Sequence, residues 1–62
     1  MAKNEAQTTP YRVNYTYIVK GKLRTGAQIV MAVDSSEAEA LAKLQLTQEH
    51  GNQYRILNTK PW

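Results

Sequence analysis

The sequence has no cysteine, no phenylalanine, one histidine and only two prolines. Without cysteine there is no disulfide to staple a small fold and no thiolate for a soft metal. With His50 as the lone imidazole, no cluster of histidine and acids can be assembled. Ser35, Ser36 and the threonines lack a base and an orienting group at workable spacing. The residues therefore predict no enzyme, no metal and no cofactor. No run approaches the roughly 20 apolar residues of a membrane span, and "MAKNEAQTTP" lacks the apolar centre of a signal peptide. Both absences predict a cytoplasmic chain without a membrane partner.

Acid is scarce where base is plentiful. Arg12, Lys20, Lys22, Arg24, Arg55 and Lys60 lie in stretches with no acid, whereas Asp34, Glu37, Glu39 and Glu49 are confined to residues 34–49 with Lys43. A chain of 62 residues forms one domain and buries only about 60% of the surface it exposes when unfolded. A deep substrate cleft is not expected from so thin a core.

Residues 1–10 are polar and end at Pro10, which predicts a flexible tail before a single domain over 11–62. From Tyr11 the residues alternate, with Tyr11, Val13, Tyr15, Tyr17 and Val19 on one face and Arg12, Asn14, Thr16, Ile18 and Lys20 on the other. A second alternating run follows Gly21: Leu23, Ala27, Ile29, Met31 and Val33 are odd, while Lys22, Arg24, Gly26, Gln28 and Val30 are even. Placing both odd sets on the core face requires a three-residue loop, Lys20-Gly21-Lys22, with Val19 opposite Leu23. Gly26, within this strand, marks a bulge or a close approach by another chain.

Asp34 and Glu37 have the spacing of a capping box, and Gly51 is a natural stop, which predicts a helix from Ser35 to about Glu49. Its apolar arc is Ala38, Leu41 and Ala42, widened by Leu44 and Leu46, with Glu39, Lys43, Thr47 and His50 on the wet side. A last strand, "YRILNTKPW", puts Tyr54 and Ile56 on one face and Arg55 and Leu57 on the other. Trp62 is expected to cover the end of the core. The fold class is α+β: a β-β-α-β order giving a three-stranded antiparallel sheet, first strand central, with one helix on one face.

The sheet's other face is then uncovered. It is predicted to carry Arg12, Lys20, Lys22, Arg24, Arg55 and Lys60 around Ile18, Val30 and Leu57. Apolar groups rimmed by charge on a bare face fit a protein with an acidic patch. Phosphates of a nucleic acid are the alternative, and a homodimer through the apolar face is a third possibility.

The stretches "AVDSSEAEALA" (residues 32–42) and "YRILNTKP" (residues 54–61) resemble the small host RNA polymerase inhibitors of T7-like phages. That family has a hairpin, a capped helix with a Glu-Ala and a Leu-Ala pair, and a final strand ending in a basic residue and proline. The resemblance implies a β-β-α-β protein without enzymatic activity that binds the jaw of the polymerase β′ subunit inside a host cell. The family's two basic residues of the last strand would fall on Asn58 and Lys60, of which only Lys60 keeps the charge.

Overall fold

The computed structural model describes residues 7–62. The part of the expected tail at residues 1–6 lies outside the described residues. Three strands and one helix follow one another: β1 (Thr9–Val19), β2 (Lys22–Ala32), α1 (Ser35–His50) and β3 (Tyr54–Pro61). The sheet is antiparallel in the order β2-β1-β3, so the first strand is central, as expected. β1 begins at Thr9, two residues inside the segment expected to be a tail.

The hairpin closes differently from the expectation. Val19 faces Lys22, Ile18 faces Leu23 and Tyr17 faces Arg24, so the loop is the two residues Lys20 and Gly21. Both have positive φ, 52° and 77°, the conformation of the tight turn whose twist matches that of paired strands. The shift of one residue turns the whole of β2 over. Lys22, Arg24, Gly26, Gln28, Val30 and Ala32 share the helix side with the tyrosines, and Leu23, Thr25, Ala27, Ile29 and Met31 face away from it.

The physical reason is space rather than hydrophobicity. The tyrosines of β1 occupy the helix side, where β2 sets Gly26 opposite Tyr15. A Cβ built on Gly26 would lie 2.9 Å from Cζ of Tyr15 and 2.9 Å from its hydroxyl oxygen, so the ring rests directly on the Gly26 backbone. Gly26 is thus not a bulge, and its missing side chain makes room for the Tyr15 ring. The sheet's irregularity is in β3, where Asn14 faces Asn58 but Tyr15 faces Ile56, leaving Leu57 as the extra residue. The bulge lets both Ile56 and Thr59 point toward the helix.

At the start of α1, the Glu37 N–H donates to Asp34 Oδ1 at 2.8 Å, and the Glu37 carboxylate accepts from the Val33 N–H at 2.8 Å. Two donors at this helix start are thereby satisfied. Gly51, at φ 64°, ends the helix with its N–H on the Thr47 carbonyl. The helix meets the sheet along the single line Ala38, Ala42 and Leu46, all fully buried. Alanine at two of the three contacts lets the helix approach closely. The expected arc is therefore rotated: Leu41 and Leu44 are exposed, while Thr47 and His50 turn to the sheet. The Thr47 hydroxyl lies 2.8 Å from the Tyr54 hydroxyl, and His50 stacks on Tyr17 with ring centroids 4.5 Å apart. These polar groups suit the hydroxyl-bearing ends of the tyrosines better than leucine would.

The core is completed by Val13 and Ala32. The two 11-residue strands of the hairpin are each about 36 Å long, and a 16-residue helix about 24 Å, so the hairpin tip extends past the helix.

Candidate functional site: the bare face of the sheet

The face opposite α1 is covered by nothing among the described residues. Alternation from the observed register places Arg12, Asn14, Thr16 and Ile18 of β1 on it, beside Leu23, Thr25, Ala27, Ile29 and Met31 of β2. β3 contributes Arg55, opposite Thr16, together with Asn58 and Lys60, opposite Asn14 and Arg12. The apolar members are well exposed: Leu23 is 71% accessible, Met31 55%, Leu57 53% and Ile29 48%. No acid of the described residues lies on this face.

Two parts of the face differ in chemistry. Near the hairpin, Thr16, Ile18, Leu23, Arg55 and Leu57 line one shallow concavity. Its apolar wall comes from all three strands, through Ile18, Leu23 and Leu57. At the opposite end, Arg12 and Lys60 are cross-strand neighbours with no anion between them. The Arg12 guanidinium lies 5.6 Å from the Trp62 ring centroid, and its Nε donates to Asn14 Oδ1 at 3.1 Å. Asn14 Nδ2 in turn donates to Asn58 Oδ1 at 2.7 Å. A cation held over an indole face is oriented by that contact as well as by the hydrogen bond.

Of the residues expected on this face, the register brings together Arg12, Ile18, Arg55, Leu57 and Lys60. It does not bring Val30, Lys22 or Arg24. Val30 is half-buried on the helix side, and Lys22 and Arg24 lie on that same side near the tip, beyond the helix. Lys20 sits in the turn itself. The strand slip is the whole cause, and it brings Leu23, Ile29 and Met31 to the face instead. Trp62 does not cover the core: it is 67% exposed, and its N–H donates to the Pro10 carbonyl at 2.9 Å.

Among the described residues there is no group of three or more His, Cys, Asp or Glu that could hold a metal ion. Nor is any helix of these residues long and apolar enough to cross a membrane. Comparison with protein families, with curated proteins and with solved structures returns no match.

Proposed function

We propose that the chain is a small non-enzymatic binding protein that seats its bare sheet face on a larger macromolecular machine and inhibits or redirects it. The observation that supports this reading is the composition of that face: five large apolar side chains, three cations and no acid among the described residues. A solvated sheet face carries charge of both signs with few large hydrophobes. A face of this kind instead matches an interface, with an apolar centre and a polar rim. In this reading Ile18, Leu23, Ile29 and Leu57 provide the contact. Arg12, Arg55 and Lys60 draw the face toward an acidic patch and set its orientation.

The resemblance to the phage inhibitors makes bacterial RNA polymerase the first machine to test. Purified polymerase is retained on the immobilised chain, and transcription is measured in its presence. Ile29→Asp and Leu57→Asp are each expected to weaken binding by at least about 2 kcal/mol, the scale of a central interface anchor. Leu44→Asp, on the exposed side of the helix, leaves binding unchanged. Equal retention of both face variants defeats the face as the contact, and no retention of the wild type removes polymerase as the target.

The Arg12, Lys60 and Trp62 corner favours a second reading, a nucleic-acid contact in which the cations meet phosphate and the indole stacks on a base. Its signature is binding to DNA or RNA oligonucleotides that weakens steeply with salt, with a log-log slope of about −0.9 per phosphate contact on duplex DNA. Salt-insensitive binding to polymerase without binding to oligonucleotides excludes it.

A further inference from the structure

We propose that β2 pairs through its free edge with β2 of a second copy, antiparallel about a two-fold axis at Ile29, joining two three-stranded sheets into one of six strands. This surface is distinct from the bare face, so either proposal can fail without the other.

The edge is open by hydrogen-bond parity. A two-residue hairpin closes on a hydrogen-bonded pair, here Val19 and Lys22, so odd residues of β1 bond to even residues of β2. The even residues of β1 then turn to β3, as the bonds from Ile18 N–H to the Gln53 carbonyl and from Trp62 N–H to the Pro10 carbonyl show. The backbone groups of Leu23, Thr25, Ala27, Ile29 and Met31 therefore point outward, and none has a hydrogen-bond partner among the described residues. The row ends at Val33, whose N–H is taken by Glu37.

The two edges of the sheet are not treated alike. β3 is interrupted by the bulge at Leu57 and bears Arg55 and Lys60. It ends in Pro61, opposite Tyr11, where parity puts the missing N–H on the outer side. These are the devices that stop strands from adding to an edge. β2 has only Lys22 and Arg24 near the tip, and from Thr25 to Val33 it has neither charge nor proline.

A second copy fits this edge by charge and size. An antiparallel pair centred on Ile29 carries Arg24 just past the end of β2 of the second copy, toward the Asp34 that caps its helix, and by symmetry this approach occurs twice. Arg24 has no ion-pair partner among the described residues. Met31 faces Ala27, and Gly26 faces Ala32, so large residues meet small ones, and no like charges are opposed. The axis is perpendicular to the sheet, which puts both helices on one side and joins the two bare faces on the other.

Sedimentation equilibrium of the full chain into the high micromolar range should give twice the 7.0 kDa chain mass. Ala27→Pro removes an outward N–H but no bond of the β1–β2 ladder. It should keep the native circular dichroism and weaken association at least tenfold. Arg24→Asp, which makes both approaches repulsive, should weaken it about tenfold as well. Since the chain has no cysteine, Ile29→Cys reports the axis: on oxidation it should give a disulfide-linked dimer, whereas Thr25→Cys, about 26 Å from its own copy by strand spacing, should not. A chain that stays monomeric overturns the proposal. So does association unaffected by Ala27→Pro, or equal crosslinking by the two cysteine variants.

Discussion

Replacing Gly26 with alanine is a direct measure of how tightly Tyr15 is held against β2. Unstrained carbon atoms sit about 3.5–4.0 Å apart, and the new methyl would lie 2.9 Å from Cζ of the ring. The ring has little room to yield, because it packs at 5.8 Å from Tyr17, which is itself stacked on His50. Overpacking of this kind costs about 1–3 kcal/mol. Against it stands a gain of about 0.5–1 kcal/mol, because alanine restricts the unfolded chain more than glycine does. The net expectation is a loss of about 1–2 kcal/mol. In a Tyr15→Val background the clash is gone, and the same substitution should be neutral or stabilising by about 0.5 kcal/mol. Urea unfolding of the four variants, followed by far-ultraviolet circular dichroism with slopes compared, gives the coupling directly. A coupling below about 0.5 kcal/mol, or a stabilising Gly26→Ala in the wild-type background, would refute the account of the register.

Three further substitutions test other joints of the fold. Asp34→Ala removes the acceptor for the Glu37 N–H and should cost about 1 kcal/mol, seen as a melting temperature lower by about 4–8 °C. Thr59→Val should raise stability by about 1 kcal/mol, because the Thr59 hydroxyl is buried without a hydrogen-bond partner; an unchanged urea midpoint would mean the hydroxyl is satisfied in solution. Lys20→Asn should stabilise by about 0.5–1 kcal/mol, since asparagine tolerates the positive φ of Lys20 better than lysine does. A destabilising Lys20→Asn would argue for a longer loop.

The order of elements, the central first strand and both ends of the helix were legible because each rests on a local signal. Alternation marks β1, the Asp34 and Glu37 spacing marks the cap, and Gly51 marks the stop. The face of β2 was not legible from hydrophobicity, since its odd residues are the more apolar set and yet lie in the open. What decides the matter is volume. The Tyr15 ring needs a residue without a side chain opposite it, and Gly26 is the glycine of β2. Lys-Gly at the tip was a second clue, as a two-residue turn needs two positive φ angles. Five of the nine residues expected in the site keep their place on the face, and those that leave it are the even residues of β2 and the turn residue Lys20. The rotation of the helix was hidden for a related reason: leucine reads as core, but the tyrosine hydroxyls favour Thr47 and the ring of Tyr17 favours His50.

Only Val13, Ala32, Ala38, Ala42 and Leu46 are fully buried hydrophobic residues of the described chain, and a core of that size supplies few kcal/mol. Anything that binds only the folded form adds RT ln(1 + [L]/Kd), about 2.7 kcal/mol at a hundredfold excess over Kd. Occupancy can thus contribute as much as the interior does. In a cell, protease sensitivity would then track occupancy of the proposed binding face, with unbound copies cleared faster than bound ones.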